Sequence, residues 1–483
     1  MKIKKALCFL VVLCMLTAAL SGCGEKKILD AKNPVSIEIW HYYNGPQKTA
    51  FDELVTEFND TVGLDEGIVV EAFSQGNVNE LIEKVIDAAN QKVGSGDIPD
   101  VFAAYADTAY QVDQLGLVAE LDSYLTEEEL AQYVPAYIEE GRFDAEGHLK
   151  IFPIAKSSEV LMLNKTDWDR FAEATGAKLE DLETMEGLVH TAEAYYEWTD
   201  SLTDAPDDGK AFFGRDAMAN YFIIGCRQLG TEIFEVNQGK VRLNVDDVIM
   251  RKLWDYFYVP YINGYFGAYG RFRSDDAKTG DLIALVGSTS GAAYFPDKVT
   301  VDDSESYDIE PWVMAPPHFE GGELFAVQQG AGMVVTKSDE KKEYAATVFL
   351  KWFTEAQRNI NFSVGSGYMP VKTEANDMAM IEPALKQSEE SSTTKNLEVT
   401  FPVAIEMTKT HTFYTNKAFE GGTAARNVLE NSMMNQANAD RAEIVSLMES
   451  GVNRKDAVAR FDTDDHFNAW LASFKNDLNA AIE

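Results

Sequence analysis

Six histidines are the first candidates for metal or acid–base chemistry, and none has a partner at zinc-ligand spacing, which removes HExxH-type sites. Gly287-Ser288-Thr289-Ser290-Gly291 has the outline of a nucleophile elbow but carries Thr289 where serine is required. There is no phosphate-binding loop of Walker type and no Rossmann glycine pattern. Asp204, Asp208 and Gly209 are spaced as in a calcium loop, but Pro206 and Arg215 occupy its third and twelfth positions, so an acidic turn is expected. Paired carboxylates stay open, because sequence cannot place two of the 79 acids across a sugar. These absences favour binding over catalysis. The residues suited to binding are mixed aromatic and polar runs: Trp40-His41-Tyr42-Tyr43-Asn44, Ala104-Tyr105-Ala106-Asp107 and Lys156-Ser157-Ser158.

The elements that position these runs follow from periodicity. Val35, Ile37 and Ile39 alternate with polar residues and read as a strand ending at Trp40. Gly45-Pro46 opens a helix with Phe51, Leu54, Val55 and Phe58 on one face. A strand over 67–73 follows, then a helix capped by Asn77 whose buried face is Val78, Leu81, Ile82, Val85 and Ile86. A third strand lies at 100–102. Strands alternating with helices predict an α/β fold with a parallel or mixed sheet, and ligands collect at the carboxyl ends of such strands. That puts Trp40–Asn44 and Ala104–Asp107 at one rim. The stretch 151–165, IFPIAKSSEVLMLNK, reads as two short strands around a polar elbow, with Pro153 barring one uninterrupted central strand. Most aromatics of 166–286, such as Trp168, Tyr195 and Trp254, are expected in the core.

At 483 residues the chain fits two domains or one bilobal unit. Residues 1–22 read as an export signal: Lys2, Lys4 and Lys5, an apolar run from Ala6 to Leu20, then Ser21-Gly22 before Cys23. Its LSGC ending resembles the bacterial lipobox, which implies cleavage before Cys23 and a lipid on its sulfur. Cys8 and Cys14 leave with the signal, so Cys226 is the one remaining thiol and no internal disulfide or cysteine metal cluster is expected. Losing three lysines and no acid takes the formal charge from −37 to −40. Such a surface repels nucleic acids and anionic headgroups, so a nucleic-acid role is not expected.

Four stretches together resemble the extracellular solute-binding proteins of ABC importers, of the maltose- and glycerol-3-phosphate-binding type. They are VSIEIWHYYNG at 35–45, SGDIPDVFAAYADTAYQVDQLGLVAELDSYL at 95–125, the elbow at 151–165, and 329–375 with its GYMPV loop. The resemblance implies an α/β, two-lobed periplasmic-binding-protein fold (type II-like), with an inter-lobe cleft and hinge crossings. After a tether over 23–35, lobe one is expected to take 36–153 with 316–362, and lobe two 154–315 with 363–483. Ligand contacts to both lobes then stabilise the closed state.

The nearest pattern is that of glycerol-3-phosphate-binding proteins, whose motifs are similar to WHYYNG, STSG at 288–291 and GYMPV. It implies ligand-binding roles for Ser157, Ser290, Gly330, Tyr368 and Arg426, places the cleft acid at or next to Asp107, and draws in Tyr42 and Asn44 of the strand-end motif. Val78 stands where that subfamily has a ligand tyrosine, and Arg215 where it has an aromatic. An arginine can bond phosphate or paired hydroxyls in bidentate fashion. Tyr42, Tyr43 and Tyr368 offer rings to a sugar's apolar face. The expectation is a lipid-anchored, monomeric solute receptor at the outer face of a bacterial cell membrane. It takes a carbohydrate or a sugar or glycerol phosphate, hands it to a membrane permease, needs no cofactor and has no catalytic step. The alternatives are an exported carbohydrate-active hydrolase using two carboxylates and a sensory solute receptor.

Overall fold

The computed structural model describes residues 28–237, 239–302 and 304–482. The expected signal and Cys23 lie outside the described residues. Among those described, no helix is long and apolar enough to cross a membrane.

The strands that frame the site are β1 (Val35–His41), β2 (Ile68–Ser74), β3 (Val101–Ala104), β4 (Glu159–Asn164), β5 (Phe213–Arg215), β6 (Ala284–Ser288), β7 (Pro311–Met314), β8 (Phe325–Val327), β9 (Gly332–Val335) and β10 (Thr412–Tyr414). One sheet has the order β9-β3-β1-β2, with β1 parallel to β2 and β3, and β9 antiparallel to β3. Ile39 stands opposite Val101 and Trp40 opposite Phe102, so the runs after β1 and β3 emerge side by side as expected. The other sheet has the order β7-β4-β6-β5. Its β4 is antiparallel to both neighbours, and Glu159 stands opposite Ser288. Each sheet has its own hydrophobic core.

Helices carry the remaining site residues: α1 (Gly45–Asp60), α2 (Val78–Ala89), α3 (Ala106–Gln114), α4 (Pro135–Glu140), α5 (Met218–Gln228) and α6 (Gly422–Glu449). Asn77 caps α2 through a reciprocal capping box with Glu80. The buried face of α2 is Leu81, Val85, Ala88 and Ala89. Val78, Ile82 and Ile86, expected in that face, are only half-buried. The stripe toward the core is narrower than the apolar pattern: Ile86 packs at the edge of the core, while Val78 and Ile82 face the space between the lobes.

The elbow departs from expectation at its first half. Only β4 is a strand; 151–158 makes single bridges, from Phe152 to Met333, Lys156 to Met369 and Ser157 to Gln329. Pro153 lacks the N–H that a continuous ladder needs. Three chain segments therefore cross together between the lobes. Gly330 sits among them at φ 96°, where an added Cβ would lie 2.8 Å from the Ala155 carbonyl oxygen.

The cores also shift the expected lobe boundaries. Phe319, Phe325 and Val327 pack into the second core, so the chain returns to the first lobe after Val327, not at 316. Tyr368 and Val371 pack into the first core, beyond the boundary expected at 363. The tether expected over 23–35 ends early, because Leu29 is buried in the first core and Asp30 abuts Gly67.

Candidate functional site

A cavity of about 350 Å³ lies between the lobes. The first lobe supplies Val78, Asn79 and Ile82 of α2, and Tyr105 to Thr108 where β3 turns into α3. The second supplies Asn220 and Ile223 of α5, and Thr423, Arg426, Asn427 and Glu430, which follow helical spacing down the first turns of α6. Gln328 and Gln329, on the middle crossing segment, close its inner wall.

Several polar groups of this cavity are already bonded to one another. Arg426 Nη2 donates to Asn220 Oδ1 at 2.8 Å. Asn220 Nδ2 in turn donates to Glu159 Oε1 at 2.8 Å and to Gln329 Oε1 at 3.2 Å. Glu159 is held from behind by Arg215 at 2.6 Å, and both of these side chains are buried. Arg215 is thus a strut beneath the site, its charge spent on Glu159. Glu430 accepts the N–H of Ala219 at 2.8 Å, tying α6 to the start of α5. Glu140 is ion-paired with Lys156 at 2.7 Å, with both side chains over nine-tenths buried, and Lys156 Nζ also donates to the Gly330 carbonyl.

Asp107 is the exception. Its Oδ1 is sealed from solvent without a hydrogen-bond partner, and it faces Gly422, where a Cβ would lie 2.5 Å away. Burial pushes its carboxyl up from the ordinary 3.8 to about 6, against the pull of Arg426 and the Phe419 main chain. An orphaned acceptor in a polar cavity is suited to a ligand's hydroxyl or N–H.

Of the residues expected at the site, Asp107 and Arg426 line this cavity, and the others do not. Tyr42 and Tyr368 join hydroxyl to hydroxyl at 3.2 Å. Tyr105 lies beside Tyr42 and the Gly330 main chain, and Tyr368 beside Ser290. Burial raises the pKa of all three phenols, so they stay neutral. Tyr42, Gly330, Ser290 and Tyr368 therefore form a hydroxyl knot that meets the cavity through Tyr105. Ser157 acts through its main chain, bracing Gln329. Asn44 is exposed at the start of α1, where its side chain caps nothing. Tyr43, offered above as a stacking ring, is fully buried among Phe51, Phe362 and Tyr368. Residues not anticipated are Asn220, Glu140, Gln328, Gln329, Thr423 and Asn427. Asn220 carried a signal: it is a polar residue inside the apolar run MANYFIIGC. Glu140 carried none, since it resembles its exposed neighbour Glu139 until the fold pairs it.

Two α/β lobes, three crossing segments and a polar cavity walled from both sides define a protein that encloses a solute. The family described as bacterial extracellular solute-binding protein matches residues 53–389, and the chain belongs to it. Its fold is shared with the cyclic α-maltosyl-1,6-maltose binding protein of Arthrobacter globiformis (TM-score 0.64, 17% identity, covering 93% of this chain and 99% of that one). It is shared with UgpB of Mycobacterium tuberculosis in complex with glycerophosphocholine (TM-score 0.65, 17% identity, 93% and 100%). The maltotriose-bound MalE domain of Bdellovibrio bacteriovorus is also similar (TM-score 0.60, 14% identity, 91% and 99%). No curated protein sequence matches the chain. Family membership makes the chain an exported solute-binding protein.

Proposed function

We propose that the chain captures a neutral carbohydrate in the inter-lobe cleft and delivers it to an ABC permease, without a catalytic step. The observation that carries this reading is the charge balance of the cavity. Asp107, Glu140 and Glu430 face it with Arg426 as the lining cation, and Lys156 offsets only Glu140. With three acids against two cations, a phosphate dianion would enter against a net negative charge, whereas sugar hydroxyls can donate to Asp107 and accept from Arg426, Asn427 and Thr423. Relatives of the same fold hold maltotriose and mannotriose, which supports a sugar. The glycerophosphocholine complex of UgpB keeps phosphodiesters as the comparison to test. Outward of the fold, a lipid on Cys23 would hold the protein at the outer face of the cell membrane as a monomer.

Titration calorimetry with maltotriose, mannotriose, glycerol 3-phosphate and glycerophosphocholine tests the reading. Saturable binding of a neutral sugar, with no new product on chromatography, is expected. Binding confined to the phosphorylated compounds, or hydrolysis of a sugar, overturns it. Mass spectrometry of the mature N-terminus tests the anchor: the expected result is a diacylglyceryl cysteine at position 23.

A further inference from the structure

Both lobes present methyl-bearing side chains to the cavity. Val78 and Ile82 come from α2, Ile223 from α5, and Val327 from the end of β8. Rings that would cover the apolar face of a sugar are scarce. Tyr105 is the one aromatic residue of the lining among the described residues, and its hydroxyl lies beside Tyr42 in the knot.

The polar part of the lining is rich in amides. Besides its acids and Arg426 it carries six carboxamides, those of Asn79, Asn220, Gln328, Gln329, Asn416 and Asn427. Asn220, Gln328 and Gln329 are engaged within the protein. Asn79 of the first lobe and Asn427 of the second are exposed, and neither side-chain amide has a partner among the described residues. A carboxamide carries a donor and an acceptor on one carbon, which matches it to another amide. Asp107 adds an unpartnered acceptor in Oδ1.

An aliphatic wall is a poor neighbour for a hydroxyl. A hydroxyl set against Val78, Ile82 or Ile223 gives up its bonds to water without a replacement, whereas a methyl set there is removed from water on favourable terms. One side group answers all of these features. An acylamino group brings an N–H for Asp107 or an asparagine oxygen, a carbonyl oxygen for an asparagine NH2 or Arg426, and a methyl for the wall.

We propose that the carbohydrate taken by this cavity carries an acylamino substituent, as an N-acetylhexosamine does, with the acyl methyl against Val78 and Ile82 and the amide read by Asn79, Asn427 and Asp107. The inference rests on the carbohydrate reading above and narrows it. Such a sugar is neutral, so the net negative charge of the cavity does not oppose it.

Calorimetry on the full chain tests this with three disaccharides that differ only in the substituent on the second carbon of each ring. Diacetylchitobiose has acetamido groups there, cellobiose has hydroxyls, and the deacetylated chitosan dimer has ammonium groups. N-Acetylglucosamine, glucose and glucosamine make the corresponding monosaccharide set. The acetamido compound is expected to bind about tenfold or more tightly than both counterparts. Val78→Thr exchanges a methyl for a hydroxyl at nearly constant shape, and Ile82→Asn exchanges an aliphatic group for an amide. Both positions are half-buried on α2, and each variant should cut the preference about threefold or more. Unchanged melting temperatures show that the variants fold; if Ile82→Asn fails that check, Val78→Thr decides. A hydroxyl compound that binds as tightly as the acetamido one overturns the acylamino class and leaves the carbohydrate reading standing. Tightest binding of the ammonium compound overturns the class too, because the acids would then be reading charge. A preference that survives both variants overturns the wall assigned to the acyl methyl. If neither set binds while maltotriose or mannotriose does, the acylamino class falls alone; if those fail as well, the carbohydrate reading falls with it.

Discussion

Asp107 gives the sharpest test, because its environment is hostile to its own charge. Ionised, it must keep a sealed, unpartnered oxygen against α6; protonated, it does so at little cost. The folded value of about 6 lies above the ordinary 3.8, so the folded form binds the proton more tightly than the unfolded chain. The penalty is therefore present above about pH 6 and vanishes as pH falls below about 4. A rise of about 2 units corresponds to about 3 kcal/mol. Asp107→Asn removes the charge and keeps an acceptor for the Phe419 N–H. A chain of this size unfolds with an entropy of about 1 kcal/mol/K, so the variant should melt about 3 °C higher than wild type at pH 8. At pH 4 the two should coincide. The difference between the proteins is the informative quantity, since other titrating groups cancel in it. Calorimetric scans of ligand-free protein from pH 4 to 8 are the assay. A gap that is constant with pH, or that widens toward pH 4, would refute the reasoning.

Gly422→Ala places a methyl 2.5 Å from Asp107 Oδ1 and forces that carboxylate to move; ligand affinity should fall about tenfold or more, as calorimetry would show. Lys156→Met strands the buried Glu140 and should cost about 3–5 kcal/mol in urea unfolding, much of which Lys156→Met/Glu140→Gln should restore. His41 is buried and its pKa is lowered from 6.5 to about 4. It therefore stabilises the fold above pH 6.5, and up to about 3 kcal/mol is lost as pH falls through 4. His41→Asn, which keeps an acceptor for the Tyr43 N–H, should flatten that acid limb of the melting curve. Arg426→Ala frees Asn220 and removes the lining cation; sugar affinity should drop at least tenfold, and Arg426→Lys should not restore it if the bond to Asn220 is what matters.

Local pattern sufficed to mark the first elements of the first lobe. Alternation marked β1, proline and glycine marked the start of α1, and Asn77 marked that of α2; strand ends then put Tyr105 and Asp107 at the cleft without knowledge of any partner. Pattern misled where one side chain had two faces to choose between. Val78 and Ile82 are apolar at helical spacing, which reads as core, yet they line a cavity. Tyr42 and Tyr43 are adjacent and chemically alike, but a strand end turns one toward the hydroxyl knot and the other inward. Long-range pairing was out of reach: nothing local in Asn220 or Glu140 announces Arg426 or Lys156, which lie 206 and 16 residues away. Arg215 was visible only as a misfit, and its reason, Glu159, is set by the pairing of β4 and β5 with β6, which lies between them.

The three crossing segments also set the order in which the molecule can come into being. The first lobe contains residue 29 and residue 371, so most of the second lobe must be made before the first can close its sheet with β9. Until β9 emerges, β3 has an unpaired edge. The cavity is completed later still, when the first turns of α6 deliver Arg426. A chain threading through an export channel therefore stays without its full core until most of it has crossed, which is the condition a translocating polypeptide must meet. Solute capture becomes a sign that nearly the whole chain has arrived.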